Sequence, residues 1–293
     1  MRGHLNIDRL VKILLFAAVL LAAMVVVVVV MYARSTGPED LDMDAGGVEA
    51  IVPKVEPLPS VPLFAKALMK AYPDFVRGYE DGTLLLTDGS QMICDDGRPK
   101  DFMMRIDEAD IEDMFYDKYV EGPLYQPGFL EDPGRYRCEA FFKKMYGATE
   151  SEARKNLVPV EWFGQTLKFS AVNHAADSLC AVARDLKVFS PMYDKYFVQS
   201  STFNWRPVRG VSRLSPHSYG MAIDICVKLS NYWRWGNPGK SEVDKIDYAN
   251  RIPEEVVLAF EKHGFISGVK WYHYDTMHFE FRPELLYYSK NLK

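Results

Sequence analysis

The longest apolar stretch of the chain lies near its start. No charged residue occurs between Lys12 and Arg34, and residues 25–30 are all valine. A helix over residues 13–33 would rise about 1.5 Å per residue and span about 30 Å, the thickness of a bilayer hydrocarbon core. We therefore predict one N-terminal transmembrane helix and assign residues 1–34 to a cytoplasmic stub and membrane anchor. The run exceeds the apolar core of a typical signal peptide, which favours an uncleaved anchor without excluding cleavage.

The charges that flank this stretch predict its orientation. Arg2, Arg9 and Lys12 precede it, whereas the segment after Arg34 is acidic. Cationic flanks stay on the cytoplasmic side of a membrane. We therefore expect a single-pass protein of the cell membrane, with everything after the anchor in the periplasm or outside the cell.

A linker and a helical region follow the anchor. Residues 35–60 combine glycines and prolines with acidic residues, so we expect a flexible linker that is too polar to pack alone. Apolar residues at helical spacing predict a helix that ends before Pro73, and further helices over 109–119 and 139–157. We assign residues 61–160 to a helical leading region that packs on the core.

The remainder of the chain, residues 161–293, mixes helical and strand patterns. Apolar residues three or four positions apart over 171–186 predict an amphipathic helix. A second helix begins at Pro253 and ends before Gly264. Two runs rich in strand-forming residues lie at 215–227 and 270–282. Helices packed on a small, mostly antiparallel sheet make α+β the expected fold class.

Composition excludes several classes of protein. The chain has 35 Lys and Arg against 40 Asp and Glu, and 48% of its residues are hydrophobic. This mixture can build a core and lacks the positive charge of a nucleic-acid-binding protein, so no nucleic-acid partner is expected. Its four cysteines are too few and too scattered for a disulfide framework or a cysteine-based zinc module. Whether Cys94 and Cys138 pair stays open.

Most of the candidate chemistry lies in two segments. The first runs Ser-Pro-His217-Ser-Tyr-Gly-Met-Ala-Ile-Asp224. In an extended strand, Asp224 shares a face with Ala222, where an unpaired carboxylate would be costly to bury. Gly220 allows a bend that brings His217 back toward Asp224.

The second segment runs Trp-Tyr-His-Tyr-Asp275-Thr-Met-His278-Phe-Glu280. His278 and Glu280 share one strand face, so Glu280 is a candidate partner that orients the imidazole. Asp275 would face the opposite way in a regular strand, and we expect a turn or bulge that brings it toward His278. We interpret His263 and His273 as a helix-end cation and a loop residue.

Together, His217, Asp224 and His278 supply two imidazoles and one carboxylate. This is the ligand set of a catalytic Zn²⁺ site, whose fourth position is left for water. Such a site needs a second acid that moves the proton of the water, and Asp275 is the candidate general base.

The two segments resemble the D-alanyl-D-alanine carboxypeptidase family of zinc peptidases. That family includes the vancomycin-resistance carboxypeptidases and dipeptidases and the L-alanyl-D-glutamate endopeptidases. Its pattern is Ser-x-His-x-x-Gly-x-Ala-x-Asp, followed by an acid three residues before a histidine. The resemblance is most specific over residues 201–284 and implies zinc on His217, Asp224 and His278 and a general base at Asp275.

The resemblance also implies an arginine that binds the substrate or its developing oxyanion. Three arginines precede the first motif, and Arg206 is our first choice, ahead of Arg209 and Arg213. Arg213, together with Tyr219 and Tyr272, is a candidate for contacts with the substrate.

The expected function is that of a membrane-anchored zinc metallopeptidase that hydrolyses peptidoglycan stem peptides. Its expected partners are the peptidoglycan peptide and, through the N-terminal helix, the cytoplasmic membrane. The sequence does not determine which bond is cut or whether the enzyme acts as a carboxypeptidase or as an endopeptidase. It also leaves the oligomeric state open. The alternative is a catalytically inactive cell-wall binding or scaffolding protein with a structural zinc site. In such a site a fourth side chain, such as His273 or Glu280, would complete the coordination of the metal ion.

Overall fold

The computed structural model describes residues 61–208 and 212–292. The predicted transmembrane helix over 13–33 and the linker over 35–60 therefore lie outside the described residues. Within the described ranges, every helix is too short or too polar to cross a bilayer.

The described chain is an α+β fold, as predicted. Its strands form three small antiparallel sheets rather than one: β1-β2-β3, the hairpin β4-β5, and the sheet β6-β8-β7. The bounds of the strands are as follows: β1 Val76–Glu80, β2 Thr83–Leu86, β3 Gln91–Ile93, β4 Leu157–Trp162, β5 Gln165–Ser170, β6 Ala222–Asp224, β7 Phe265–Ser267 and β8 His278–Phe281.

Eight α-helices surround these sheets in the described part of the chain. Their bounds are as follows: α1 Leu63–Ala71, α2 Phe102–Glu108, α3 Glu139–Tyr146, α4 Glu150–Lys155, α5 Ala175–Leu186, α6 Trp233–Gly236, α7 Glu254–Glu261 and α8 Pro283–Asn291. Helix α1 ends before Pro73 and α7 starts directly after Pro253, both as predicted.

The predicted helix over 109–119 is wrong, because this segment contains a single 3₁₀ turn, Asp113–Phe115. The Asp113 carboxylate accepts a hydrogen bond from the backbone of Asp110, and the Asp110 carboxylate accepts one from the backbone of Asp113. Lys100 binds both carboxylates at 2.7 Å. These local bonds compete with helix formation, as short acidic side chains often do.

The predicted helix over 139–157 is two helices, α3 and α4, which meet at Gly147. This glycine has a φ of 124°, and a Cβ placed on it would lie 2.6 Å from the backbone nitrogen of Ala153. Thr149 then caps α4 by accepting a hydrogen bond from the backbone of Glu152. A backbone turn that only glycine fits therefore interrupts an otherwise helical pattern.

The predicted helix over 171–186 begins four residues late, at Ala175. A 3₁₀ turn, Val172–His174, precedes the helix, and the φ values of 54° at Asn173 and 60° at His174 produce a kink between the two. The predicted apolar face is confirmed further along the helix, where Leu179 and Val182 are fully buried.

The sheet β6-β8-β7 has one polar and one apolar face. In its register Asp224 lies opposite His278, and Ile223 lies opposite Phe279. Phe279 is fully buried and stacks on Phe260 of α7, with ring centroids 3.9 Å apart. The β-rich runs at 215–227 and 270–282 contain only the short strands β6 and β8, since turns and 3₁₀ helices occupy the rest.

The turn at Gly147 gives a stability prediction. Gly147→Ala combines backbone strain with a clash against the backbone of α4, and we expect it to lower the free energy of unfolding by about 2–4 kcal/mol. Gly164→Ala is the matched control, because Gly164 has a φ of 77° but no atom within 4 Å of the added Cβ. Urea unfolding of both variants measures the difference, and equal losses would contradict the close approach at Gly147.

Candidate metal centre and active site

His217, Asp224 and His278 bring three ligand atoms together at the polar face of the sheet β6-β8-β7. Nε2 of His217 lies 3.1 Å from Oδ1 of Asp224 and 3.2 Å from Nδ1 of His278. Nδ1 of His278 lies 3.0 Å from the same Asp224 oxygen. The three atoms therefore form a nearly equilateral triangle.

The hydrogen bonds of His217 fix which of its ring nitrogens faces the triangle. The residue lies in the 3₁₀ helix Pro216–Tyr219, which ends at Gly220 with a φ of 66°, and this is the expected bend. Its Nδ1 is 2.6 Å from the backbone carbonyl of Thr202, an acceptor only, so Nδ1 carries the proton. The lone pair of Nε2 is left to point at the other two ligand atoms.

The orientation of His278 is fixed by a hydrogen bond at its Nε2, whereas that of His217 is fixed at Nδ1. Its Nε2 is 3.1 Å from Oε2 of Glu280, which is two residues further along the same face of β8. Glu280 is fully buried and is held by Arg137 and Arg282. As predicted from the alternation of the strand, Glu280 contacts the imidazole, and it leaves the lone pair of Nδ1 facing the triangle.

The triangle fits a divalent metal ion. Ligand atoms about 2.0–2.1 Å from a tetrahedral Zn²⁺ lie about 3.3 Å from one another, close to the three separations found here. Two imidazole lone pairs that face each other and a carboxylate would repel without a proton or a cation between them. Among the described residues the group contains only these three side chains. Neither Glu280 nor His273 is a fourth member.

The two imidazoles also determine the charge of Asp224. Burial alone would raise the pKa of this carboxyl group, but, with a proton rather than a metal ion between the three groups, the charge and hydrogen bonds of His217 and His278 hold the pKa well below its usual range. Asp224 is therefore an anion, the form in which a carboxylate binds a metal.

Asp275 enters the same cavity through a turn rather than through the strand. Its backbone carbonyl accepts a hydrogen bond from the backbone of His278 at 3.0 Å, which closes the expected turn before β8. Burial, together with the neighbouring Asp224, raises the pKa of Asp275 to about 7. Its Oδ1 has no hydrogen-bond partner among the described residues. The carboxyl group is thus free to bind a water molecule or a substrate.

These groups line one cavity of about 400 Å³. Arg206 lies at its surface with an exposed side chain, whereas Arg213 is only 5% exposed. Arg209 lies outside the described residues. Tyr219 and Tyr272 are absent from the described lining: Tyr219 packs near Phe142, and the hydroxyl group of Tyr272 bonds to Asp244 and Ile246.

The sequence argument did not assign Arg135 or Arg137 to this cavity, and it gave His273 only as a loop residue or a possible fourth metal ligand, yet all three line it. His273 is 1% exposed, and its Nδ1 lies 2.5 Å from Oδ2 of Asp132. Arg135 binds the same carboxylate at 2.7 Å. The interpretation of His273 as a loop residue is correct for its backbone but misses its burial. No local motif marks Arg137 or His273, because their partners Glu280 and Asp132 lie more than a hundred positions away in sequence.

Comparison with known proteins agrees with this geometry. Residues 209–281 match the profile of a family described as D-alanyl-D-alanine carboxypeptidase, and this segment contains His217, Asp224, Asp275 and His278. The chain has no significant match among curated proteins or solved structures. Residues 209–281 therefore form a domain of the D-alanyl-D-alanine carboxypeptidase family.

Proposed function

We propose that the protein is a zinc-dependent metallopeptidase that hydrolyses peptide bonds in peptidoglycan stem peptides. The observation that carries the proposal is the triangle of His217, Asp224 and His278, with the unpartnered carboxylate of Asp275 beside it in one cavity. The match of residues 209–281 to the carboxypeptidase family supports the same substrate class.

In this proposal His217, Asp224 and His278 hold the metal. Zn²⁺ bound there supplies Lewis acidity, which polarises a carbonyl group and lowers the pKa of water. Thr202 and Glu280 keep the two imidazoles in the tautomers that leave their lone pairs free. Asp275 takes the proton of the attacking water at Oδ1 and gives it to the leaving amine. Arg206, at the surface of the cavity, contacts a substrate carboxylate or the oxyanion.

The rival function is an inactive cell-wall binding protein with a structural zinc site. Structural sites are usually closed by four protein ligands. The group here has three among the described residues, while Glu280 is engaged by His278, Arg137 and Arg282. This arrangement favours catalysis.

We further propose that residues 1–34 anchor the protein in the cell membrane and that the rest of the chain lies outside the cytoplasm. The support is the charge-free stretch between Lys12 and Arg34 and the cationic residues before it.

Asp275→Asn tests the general base. The amide cannot accept the proton, so we expect kcat for muropeptide hydrolysis to fall by about 10²–10⁴-fold. Zinc content should stay at the wild-type level, because Asp275 is outside the metal group. The full-length protein in detergent serves for both measurements, with mass spectrometry of the products. Full activity in Asp275→Asn would exclude Asp275 as the base.

Glu280→Gln tests how the imidazole of His278 is oriented. We expect zinc affinity, measured by competition with a chelating dye, to fall by about 10–100-fold. Glu284→Gln is the matched control: Glu284 is also fully buried and also binds Arg282, but its bonds go to Arg282 and Tyr72 rather than to His278. If both variants bind zinc equally well, Glu280 has no role in positioning the metal ligand.

The orientation of the anchor can be tested with a reporter enzyme fused after Lys293. The reporter is one that needs disulfide bonds to fold. Disulfide bonds form outside the reducing cytoplasm, so we expect an active reporter. An inactive disulfide reporter beside a functional cytoplasmic reporter at the same position would overturn the proposed orientation.

A further inference from the structure

An exposed tryptophan lines the cavity that holds the metal group. Trp235 lies on the short helix α6, and 57% of its surface is exposed. Tryptophan has the largest apolar side chain, and leaving it in water gives the folded state little in return. Exposed apolar surface on the wall of a cavity is typical of a binding surface.

Two other aromatic side chains of the described residues are more than half exposed, and both are absent from the described lining of this cavity. These are Phe129 and Tyr116, and the guanidinium of Arg105 covers the ring of Tyr116 at 3.6 Å from its centroid. Trp235 packs on Tyr232, with ring centroids 5.5 Å apart and an angle of 78° between the planes. A perpendicular ring covers at most one face of the indole, so the other face is available to a ligand.

The segment that carries Trp235 is bonded to the turn that carries Asp275. Tyr232 pairs with Asp275 in an antiparallel bridge. Beside this bridge, the backbone N–H of Trp233 donates a hydrogen bond to the carbonyl of Tyr274 at 2.9 Å. A group that binds to Trp235 is therefore held at a fixed place relative to Asp275.

The rest of helix α6 is packed in place. Trp233 is 2% exposed, and Arg234 lies 4.3 Å from the centroid of its ring and binds Glu242 at 2.6 Å. A Cβ placed on Gly236 would lie 2.6 Å from the hydroxyl oxygen of Tyr274, so the helix approaches this tyrosine closely. The exposed indole thus extends from a fixed backbone, which lowers the entropic cost of binding.

The chemistry of the proposed substrate selects the ligand. Stem peptides consist mainly of alanine and charged residues, whose side chains offer little flat apolar surface. The other component of peptidoglycan is a glycan, and the C–H bonds on one face of a sugar ring match the electron-rich face of an indole. The side chain of the adjacent Arg234 is 37% exposed and can donate hydrogen bonds to sugar hydroxyl groups.

We propose that Trp235 is a binding platform for a sugar ring, so that the protein acts on stem peptides attached to glycan in preference to free peptides. This inference rests on the proposed peptidase function and names the form of the substrate. Because Trp235 and the metal group line one cavity, a sugar on the indole brings the attached peptide to the metal.

Calorimetry on the zinc-loaded, full-length Asp275→Asn protein tests the platform without turnover. The detergent must lack a sugar headgroup, because such a headgroup would compete for the indole. A disaccharide-pentapeptide is compared with the lactoyl-pentapeptide, which keeps the stem and its lactyl group but has no sugar. We expect the disaccharide form to bind about 10-fold more tightly, the range of one aromatic stacking contact.

Substitutions of Trp235, added to Asp275→Asn, assign this preference to the indole. Trp235→Ala should reduce the preference to less than about 2-fold, and Trp235→Leu should do the same, because leucine has apolar surface but no aromatic face. Phe129→Ala is the matched control and should keep the preference. Phe129 is 53% exposed and packs perpendicular to Tyr272 at 5.2 Å, much as Trp235 packs on Tyr232.

Three results would overturn the platform. The first is equal binding of the two ligands, and the second is a preference that survives Trp235→Ala. The third is a preference that is lost in Trp235→Ala but kept in Trp235→Leu, because an apolar side chain of the peptide would then occupy this surface.

Thermal unfolding checks that Trp235 has no structural role. Because its side chain is exposed, Tm of Trp235→Ala should stay within about 2 °C of the parent protein, as in Phe129→Ala. A larger fall in Trp235→Ala alone would mean that the indole stabilises the fold, which contradicts a surface kept for a ligand.

Hydrolysis by the wild-type protein separates this inference from the proposed function. A protein that cuts the disaccharide-pentapeptide and the lactoyl-pentapeptide with equal kcat/KM would keep the peptidase function and overturn the platform. A protein that cuts neither, but binds the disaccharide form in preference through Trp235, would overturn the peptidase function and keep the platform.

Discussion

The site depends on one cross-strand pair. Asp224 of β6 and His278 of β8 lie directly opposite each other in an antiparallel register, so their side chains project from the same face at close range. A slip of β8 by one residue would turn His278 into the apolar core and bring Phe279 to the cavity. The stack of Phe279 on Phe260 opposes such a slip, because it anchors the apolar face of the same strand. Core packing on one face thus sets the ligand geometry on the other.

A buried polar network supports this pair from behind. Glu280 binds His278, and Arg282 binds both Glu280 and Glu284, while Tyr72 donates a hydrogen bond to Glu284. Removing one partner of a buried ion pair leaves the other charge uncompensated, so the network depends on each of these residues. Tyr72 directly follows α1 and Arg137 precedes α3, so the network joins the leading region to the metal ligands. The leading region therefore contributes to the site as well as to the core.

Local patterns predicted the parts of the molecule that local chemistry determines. Alternation along the strand placed His278 and Glu280 on one face, and the two motif segments together indicated His217, Asp224 and His278 as the metal group with Asp275 as its neighbouring acid. The helix expected over 109–119 failed, because the carboxylates of Asp110 and Asp113 bind the backbone and Lys100 instead. Arg137 and the Asp132–His273 pair could not be predicted, since their roles arise from contacts between distant parts of the chain.

X-ray absorption spectroscopy of the zinc-loaded, full-length protein measures the number and type of metal ligands directly. The account predicts one zinc ion bound by two imidazole nitrogens and one carboxylate oxygen of the protein, with a further oxygen from solvent. Loss of one imidazole signal in His217→Ala and in His278→Ala would assign the two nitrogens. A third imidazole, a sulfur ligand, or a protein that retains no zinc would contradict it.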